Sequence, residues 1–182
     1  HQHLLKRIYR DYGVPPRYLV AFWGMETNFG SYFGGVSTLD ALATLACDER
    51  RSQYFTEQLM AALKIVDEGA IPAERMEGSW AGALGHVQFM PSVFAQYAVD
   101  YDGDGRRDLW NSVPDAMASA ANFLRGIGWR SGWRWGREVT LPKDFPYELA
   151  GYDDRRSMRE WKELGVRTAY ERPLSAADIK AA

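Results

Sequence analysis

Glycine and proline divide this 182-residue chain into segments that are long enough for helices. Gly13 ends a first segment of helical periodicity, Pro16 suits the first turn of a second, and Gly30 and Gly69 are natural stops further along. Apolar residues within the segments recur at helical rather than strand spacing. The sequence therefore predicts a mainly helical fold, with helices at about 1–12, 16–29, 39–47, 53–68, 91–99, 115–127 and 157–164.

The segment after the sixth predicted helix has a different pattern. Residues 129–136 hold three of the seven tryptophans, alternating with polar residues, and residues 138–141 read Glu-Val-Thr-Leu. Such alternation predicts an extended arm or short strand followed by a second strand. A helical chain with a small β element belongs to the mainly α (α+β) class. Its 182 residues suit one domain, or a domain with a small appendage.

Composition restricts the class of ligand. The formal net charge is −2 and the isoelectric point is about 6.0, which argues against the basic footprint of a nucleic-acid-binding protein. Aromatic residues make up 14% of the chain, which favours a protein that stacks on a flat partner such as a sugar ring. Because no apolar run reaches about 18 residues, we expect no transmembrane segment and a soluble chain, from which an export signal could have been removed.

One carboxylate, Glu26, lies inside the otherwise apolar and aromatic run 21–30. It falls in the last turn of the second predicted helix, beside Trp23, Met25 and Phe29. Poor solvation there would favour the protonated carboxyl group and raise its pKa, and a protonated group is what general acid catalysis needs near neutral pH. The alternative is a glutamate on the solvated side of an amphipathic helix.

Two further predictions concern packing. Cys47 ends an apolar run and is expected to be a buried, inert thiol, since a single cysteine excludes a disulfide framework. The predicted helix 53–68 is expected to bury one apolar stripe against the core, formed by Phe55, Leu59, Met60, Leu63 and Val66.

A glycine-rich stretch covers residues 77–91. Its glycines allow close backbone approach to a ligand or to another element. Ser79 and Gln88 alternate there with large apolar residues such as Met90, which is the composition of an apolar pocket with a few orienting polar groups. The alternative is a tight structural turn that packs two helices together. His86 has no second ligand at metal-binding spacing, so we expect it on the surface or in a pocket wall.

Acidic residues crowd the segment 100–111. Against the twelve-residue calcium-loop template, Gly105 occupies position 6, where the chain must turn sharply, and the Arg106 carbonyl occupies position 7. Carboxylates that would otherwise repel one another can converge on a hard cation. The acids at positions 1, 3, 5 and 9 are Asp100, Asp102, Asp104 and Asp108.

The last ligand position departs from the template. Asn111 stands at position 12 instead of the bidentate glutamate, and Asp115 could supply that ligand from the start of the next helix. We expect bound Ca²⁺ with a structural role and no cofactor for catalysis. The alternative is a solvated acidic turn neutralised by Arg106 and Arg107.

Three stretches, in order, resemble one protein family. They are Glu-Thr-Asn-Phe-Gly from residue 26, the run 78–92 that contains Gly-His-Val-Gln-Phe-Met-Pro, and the acidic loop. They resemble the lytic murein transglycosylase B family of bacteria, over about residues 12–165. The resemblance implies a lysozyme-like, mainly helical catalytic domain with a small sheet. It also implies cleavage of the bond between N-acetylmuramic acid and N-acetylglucosamine in peptidoglycan, with a 1,6-anhydro product formed without water.

Site residues follow from the resemblance position by position. Glu26 matches the family's single catalytic carboxylate, and Ser79 and Gln88 match pocket positions near the cleaved bond. Phe123 matches a cleft position that is tyrosine in the family, so stacking would remain and a hydroxyl contact would not. The calcium loop is matched by Asp100, Asp102, Asp104, Arg106 and Asp115, with an additional proline-bearing residue before the last of these.

The same resemblance implies one domain over residues 1–182, incomplete at both ends, with an EF-hand-like loop at 100–115. The family's late helical segment with aromatic and asparagine cleft residues has no counterpart here. The implied partner is the peptidoglycan glycan strand, with no nucleic acid partner, and the chain is expected to be a monomer. The implied location is the bacterial cell envelope, in the periplasm, either soluble or lipid-anchored through a segment outside this sequence.

Two other functions remain open from the residues. A hydrolytic muramidase of the same fold would leave reducing muramic acid ends instead of anhydro ends. A non-catalytic, calcium-stapled module would bind glycan through its tryptophans without cutting it. Ordinary glycosidases need two carboxylates, whereas a transglycosylase with one glutamate takes its nucleophiles from the substrate.

Overall fold

The computed structural model describes residues 1–153 and 155–181, and its contacts divide into two compact units, His1–Gly132 and Trp133–Ala182. The first unit contains α1 (Gln2–Tyr12), α2 (Pro16–Thr27), β1 (Val36–Ser37), α3 (Thr38–Ala46), α4 (Ser52–Asp67), β2 (Glu77–Gly78), α5 (Pro91–Tyr97) and α6 (Val113–Gly126). It also contains the short 3-10 helices Ala73–Arg75 and Gly85–Val87. The second unit contains β3 (Val139–Thr140), the 3-10 helix Tyr147–Leu149, β4 (Arg156–Ser157), α7 (Met158–Glu163), β5 (Arg167–Thr168) and β6 (Lys180–Ala181). The single domain expected over residues 1–182 stays a prediction.

Helix α6 is the centre of the first unit. Seven consecutive residues of α6, from Asp115 to Ala121, are buried, so the helix is surrounded on all sides. Four of them are alanines, and their small side chains let α1, α2 and α5 pack closely around it. Ser112 caps the first turn by accepting a hydrogen bond from the Asp115 N–H, and Pro114 occupies a favourable position near the helix start.

Most helix ends lie within two residues of the predicted ends. Gly13 ends α1 in the left-handed conformation, with φ of 73°, as its place before two prolines predicted. Ser37 begins α3 by accepting from the Asp40 N–H. Helix α2 ends at Thr27, two residues earlier than predicted, because Asn28 and Phe29 both take positive φ angles. Glu26 therefore lies in the last turn of α2, as predicted.

The predicted apolar stripe on α4 is wrong in part. Phe55 is buried, but Met60 and Leu63 are 61% and 44% exposed, and the buried face continues instead through Gln58, Ala62 and Ile65. A polar residue fits this face because the Gln58 carbonyl oxygen accepts from the Ser92 N–H at 3.0 Å.

The predicted burial of Cys47 is also wrong. Cys47 follows the last residue of α3 and is exposed. The fully buried residues of that helix, Thr38, Ala41 and Leu42, lie in its first half, and the half-buried Leu45 and Ala46 are the last residues of the run that pack against the core.

Strands are short throughout the described residues. In the first unit β1 pairs antiparallel with β2, with Val36 opposite Gly78 and Ser37 opposite Glu77. In the second unit β3 pairs with β5, and β4 with β6. The strand predicted at residues 138–141 is present as β3, whereas residues 129–136 form no strand. The structure therefore confirms a helical chain with small β elements.

The second unit has its own small core. Phe145, Trp161, Val166 and Leu174 are buried together there. Helix α7 begins at a capping box, in which Ser157 accepts from the Glu160 N–H and the Glu160 carboxylate accepts from the Ser157 N–H. Across the described residues of both units, we find no helix long and apolar enough to cross a membrane.

Candidate active site

The sequence left two interpretations of Glu26 open, a poorly solvated acid and a glutamate on a solvated helix face, and the structure supports part of each. The residue is exposed, as a glutamate on a solvated helix face would be. Its neighbours Met25 and Phe29 are 84% and 55% exposed, so the surface around the acid is apolar. Desolvation by the surrounding protein raises the pKa of Glu26 above its ordinary value. More of the carboxyl group is therefore protonated near neutral pH than for an ordinary glutamate, as a general acid requires.

The raised pKa of Glu26 predicts a pH-dependent stability. Both states are protonated below the unfolded-state pKa, and above it the folded state resists losing the proton, so stability is lost as the pH rises through the folded-state pKa. We expect Glu26→Gln to match the wild-type melting temperature at pH 4 and to exceed it at pH 7. Melting curves from pH 4 to pH 8 measure this difference.

A second exposed glutamate provides the control for that prediction. Glu74→Gln removes one surface carboxylate from the 3-10 helix Ala73–Arg75 and leaves α2 intact. At pH 7 the melting temperature should exceed that of the wild type in the Glu26 variant and not in the Glu74 variant. A melting temperature for Glu26→Gln that falls relative to the wild type with rising pH would contradict the direction of the pKa shift.

The turn that carries Glu26 is fixed by its neighbours. Thr27 is buried, and its hydroxyl donates to the His86 carbonyl at 2.9 Å while accepting from the Gly30 N–H at 3.1 Å. Asn28 and Phe29 have φ angles of 46° and 60°, a conformation that costs energy in residues other than glycine. Strained backbone within three residues of a candidate catalytic residue is typical of functional sites.

Ser79 begins the turn that joins β2 to the 3-10 helix Gly85–Val87. Its Oγ accepts hydrogen bonds from the Ala81 N–H at 3.3 Å and the Ala83 N–H at 3.0 Å. With the acceptor capacity of the hydroxyl used within the turn, the group that Ser79 can offer a ligand is its O–H donor.

Gln88 has the complementary role. Its side-chain amide nitrogen donates to the Phe33 carbonyl at 3.2 Å and to the Gly85 carbonyl at 3.0 Å. Both amide hydrogens are therefore engaged, and the Gln88 Oε1 acceptor is the group available to a ligand. Gln88 itself has a φ of 47° and is, after Asn28 and Phe29, a third residue with a strained backbone. The glycine-rich stretch thus both forms a tight structural turn and presents polar groups.

Gly34 lies so close to the backbone of β2 that a residue with a Cβ atom would not fit there. Its φ is +96°, and a Cβ atom would lie 2.0 Å from the Gly78 carbonyl oxygen, a backbone atom of the paired strand. Gly34→Ala should therefore lower the free energy of unfolding by about 2 kcal/mol or more. Urea unfolding measures the loss.

Gly35 is the matched control, because a Cβ atom there would meet no atom within 4 Å. Gly35→Ala should change the free energy of unfolding by less than about 0.5 kcal/mol. Equal losses in the two variants would contradict the close approach of residue 34 to β2.

Met90 and Phe123 are the apolar residues that the sequence predicted in the pocket, and both pack against the core of the first unit. Met90 is half-buried and immediately precedes α5. Phe123 is half-buried on α6, with ring centroids 6.5 Å from Phe22, 5.4 Å from Phe89 and 5.4 Å from Tyr97. Phe123 thus contributes to the packing between α2, α5 and α6, and its contact with substrate stays a prediction.

The acidic loop brings three carboxylates together. Oxygens of Asp100, Asp102 and Asp115 all lie within 4.8 Å of one another. Two oxygens on opposite sides of a Ca²⁺ ion, each about 2.3–2.6 Å from it, are separated by about the same distance, so the group fits the ion. Asp104, the next acid of the predicted ligand set, is outside this group, and its Oδ1 accepts from the Arg106 N–H at 2.8 Å.

Asp115 is the buried member of the group, with no exposed surface. Its Oδ1 accepts from the Tyr101 N–H at 2.8 Å and the Asp102 N–H at 3.2 Å, and its Oδ2 accepts from the Asp108 N–H at 3.0 Å. Desolvation raises the pKa of Asp115 despite these hydrogen bonds. The carboxylate therefore organises the loop backbone.

Asp108 has a local role instead. Its carboxylate accepts from the Trp110 and Asn111 N–H groups, both at 2.8 Å, and from the Asn111 side chain at 2.9 Å. Those bonds close the turn that follows the loop.

The fold and the site define a helix-rich domain in which the helix that carries Glu26 packs against a glycine-rich turn, and which also contains an acidic loop. A model of the transglycosylase SLT domain matches residues 1–182, and the chain belongs to this family. The resemblance inferred from the three motifs is thereby confirmed. The membrane-bound lytic murein transglycosylase B of Escherichia coli K12 is 42% identical over 133 residues, which cover 72% of this chain and 37% of that protein.

Solved structures agree with this assignment. Pseudomonas aeruginosa SltB3 in complex with NAG-anhNAM-pentapeptide is 46% identical, with a TM-score of 0.90 over 97% of this chain and 47% of that one. Escherichia coli lytic transglycosylase Slt35 in complex with calcium is 36% identical, with a TM-score of 0.82 over 92% of this chain and 53% of that one. The predicted lysozyme-like helical fold is confirmed. This chain spans about half or less of the length of these relatives.

Sequence reasoning missed the residues that support Glu26. Thr27, Trp23 and His86 form buried or half-buried hydrogen bonds across α2 and the 3-10 helix Gly85–Val87. The available signal was His86 itself, an imidazole between glycine and valine that the predicted pocket did not use.

Proposed function

We propose that this chain is the catalytic part of a peptidoglycan lytic transglycosylase, which cleaves the β-1,4 bond from N-acetylmuramic acid to N-acetylglucosamine. The observation that carries the proposal is the raised pKa of Glu26, in the last turn of a helix, within a fold that matches SltB3 bound to an anhydro-muramoyl product. Glycan strands of peptidoglycan are the proposed partner.

Glu26 acts first as acid and then as base in this proposal. The protonated carboxyl group gives its proton to the leaving glycosidic oxygen as the bond to C1 breaks, and the 2-acetamido oxygen of the muramoyl residue stabilises C1. The muramoyl 6-hydroxyl oxygen then forms the new bond to C1, and the Glu26 carboxylate takes the proton of that hydroxyl. One carboxylate suffices because the substrate supplies both nucleophiles, unlike a glycosidase that needs two acids.

The neighbouring residues bind and orient the sugar. Ser79 offers a hydroxyl donor and Gln88 an amide oxygen acceptor, two groups that match the acetamido and hydroxyl groups of an amino sugar. Met90 and Phe123 supply the apolar and aromatic side of the cleft, where a sugar ring can pack. With phenylalanine at 123, recognition there rests on packing alone.

The chemical form of the product tests the reaction. Digestion of purified peptidoglycan should release muropeptides that carry 1,6-anhydro-muramic acid, each lighter than its hydrolysed counterpart by one water. Mass spectrometry separates the two. Reducing muramic acid ends would identify a hydrolytic muramidase of the same fold, and glycan binding without any product would identify a non-catalytic module. Either result overturns the proposal.

We further propose that the acidic loop holds one Ca²⁺ ion. Asp100, Asp102 and Asp115 would supply carboxylate oxygens, and the ion would offset the repulsion among three acids held this close. Asp104 and the Arg106 carbonyl complete the proposed set, as positions 5 and 7 of the loop template. The known calcium complex of Slt35 supports the assignment. The role of the ion is structural, and catalysis needs no cofactor.

Calcium should therefore stabilise the folded chain. An ion present at 100 times its dissociation constant adds about 2.7 kcal/mol, which corresponds to roughly 5–10 °C in melting temperature for a chain of this size. A chelator should lower the melting temperature by the same amount. Differential scanning calorimetry measures both shifts.

Asp102→Asn removes one charge from the proposed ion site and should reduce the calcium response. Identical melting temperatures of the wild-type chain with calcium and with chelator would contradict an occupied site.

We place the protein in the bacterial cell envelope, on the periplasmic side, as a monomer. Peptidoglycan lies in that compartment, and the Escherichia coli relative is described as membrane-bound. Fractionation of the native protein tests the location, and sedimentation tests the oligomeric state.

A further inference from the structure

His86 is a buried titratable side chain that the proposed reaction does not use. The residue is 7% exposed and lies in the 3-10 helix Gly85–Val87. Its ring packs edge-on against Phe33, with centroids 4.6 Å apart, and against Trp23, with centroids 5.5 Å apart. Buried polar atoms usually have a hydrogen-bond partner, and the Nδ1 atom of this ring has one.

Three hydrogen bonds connect His86 to separate parts of the first unit. Its backbone N–H donates to the Leu109 carbonyl at 2.8 Å, and its carbonyl accepts from the Thr27 hydroxyl at 2.9 Å. Its Nδ1 accepts from the indole N–H of Trp23 at 2.9 Å. The residue therefore joins α2 to the segment that leads into α6.

The imidazole functions as an acceptor. Because Nδ1 accepts the Trp23 proton, the neutral ring carries its own proton on Nε2. Desolvation lowers the pKa of His86, an effect larger than the opposing influence of Asp108, so the neutral ring is favoured. The bond from Trp23 is thus maintained near neutral pH.

Both side-chain bonds to α2 lie next to Glu26. Trp23 precedes Glu26 by three residues, which makes the two side chains neighbours on the helix surface, and Thr27 follows it directly. The turn after the helix also contacts the imidazole, since a Cβ atom at Gly30 would lie 2.2 Å from the His86 Cε1. The last turn of α2 is therefore bonded to His86 on both sides of Glu26, through Trp23 before it and Thr27 after it.

We propose that His86 is a positioning residue, which holds the last turn of α2 through Trp23 and Thr27 so that the Glu26 carboxyl group points at the glycosidic oxygen. The inference rests on the proposed function of Glu26. Since His86 acts through the helix and not on the sugar, its loss should lower kcat and leave KM nearly unchanged. A misplacement of about 1 Å in a catalytic group costs on the order of 100-fold in rate.

Two substitutions at His86 distinguish the effect of its hydrogen-bond acceptor from the effect of the size of its ring. His86→Phe keeps an aromatic ring but has no acceptor, so the Trp23 indole N–H loses its partner. His86→Asn places its Oδ1 near the former Nδ1 and keeps an acceptor. We expect kcat on peptidoglycan to fall about 10- to 100-fold in the phenylalanine variant and by less than about 3-fold in the asparagine variant, with KM within about 2-fold in both.

Trp23→Phe provides the matched variant from the other side of the bond. It removes the donor and leaves His86 in place, so it should lower kcat to a similar extent. The double variant with His86→Phe should be no worse than either single variant, because both remove the same hydrogen bond. Additive losses would contradict a shared mechanism.

A spectroscopic readout tests the bond without activity. In nitrogen-15 spectra, the indole resonance of Trp23, assigned by its absence in Trp23→Phe, should shift and exchange faster with solvent in His86→Phe and remain near its wild-type position in His86→Asn. Circular dichroism and melting temperature identify a variant that has simply failed to fold. In that case the asparagine variant and Trp23→Phe decide the question.

The outcomes distinguish the two proposals. Full activity of His86→Phe, together with an inactive Glu26→Gln, overturns the positioning role and leaves the reaction intact. Full activity of Glu26→Gln overturns the reaction, and the indole resonance still reports whether the hydrogen bond exists. Loss of kcat in all three His86 and Trp23 variants, with no rescue by asparagine, would also count against the acceptor role.

Discussion

Replacing Glu26 with glutamine should lower kcat for the release of anhydro-muropeptides by about 10²- to 10⁴-fold, the range that general acid–base catalysis contributes. Glutamine has nearly the same shape but cannot give a proton to the leaving oxygen or take one from the 6-hydroxyl. Both halves of the proposed reaction use this one carboxyl group, so neither survives the substitution. The amount of soluble anhydro product per unit time, measured by mass spectrometry, gives the loss.

Binding separates loss of chemistry from loss of structure. Because Ser79 and Gln88 offer their polar groups independently of the acid, Glu26→Gln should still bind a muropeptide fragment with an affinity within a few-fold of the wild type. Glu74→Gln, an exposed glutamate of the same unit, should retain full activity. A Glu26→Gln variant that turns over at the wild-type rate would exclude Glu26 as the catalytic acid.

Asp115→Ala should cause the largest loss of stability, at least about 3 kcal/mol, because it leaves three backbone N–H groups without their acceptor and each such group costs about 1–3 kcal/mol. The donors are those of Tyr101, Asp102 and Asp108, and the carboxylate that accepts from them is fully buried. Burial raises the pKa of Asp115, so without a bound cation the charged form is not favoured over the protonated form as strongly as in an exposed aspartate. The cost therefore comes from the stranded donors, and chemical denaturation measures it.

Asp115→Asn divides the effect into its parts. The asparagine carbonyl oxygen can accept from Tyr101 and Asp102, but its amide group would face the Asp108 N–H, so one donor remains stranded. We expect a loss of about 1–3 kcal/mol, intermediate between wild type and alanine. In both variants the stabilisation by added calcium should decrease or disappear. An alanine variant as stable as the wild type would contradict the organising role of this carboxylate.

Much of the local structure followed from the sequence because its causes are local. Gly13 ended a helix, Pro16 began one and Ser37 capped one, each through backbone geometry within a few residues. Glu26 could be placed in the last turn of its helix by the same reasoning. The three motifs also identified the family, because a motif is recognised from residue types and their spacing and needs no knowledge of packing.

Burial was predicted less well, because periodicity shows that a helix has an apolar face but not which face its neighbours cover. On α4 the covered face passes through Gln58, whose buried side chain is satisfied by a backbone N–H 34 residues away, and Met60 and Leu63 are left exposed. Cys47 is exposed for the same reason, since the fully buried residues of its helix lie in the first half.

The sequence alone located the helices and the acidic loop and predicted a catalytic acid at position 26. Only the tertiary structure showed which long-range hydrogen bonds hold the Glu26 helix and the acidic loop in place. Trp23 and His86 are 63 residues apart in the chain, and the Tyr101 N–H reaches Asp115 across 14. Hydrogen bonds of this kind depend on which distant segments pack together around α6. Local propensity and residue spacing carry no information about such non-local contacts.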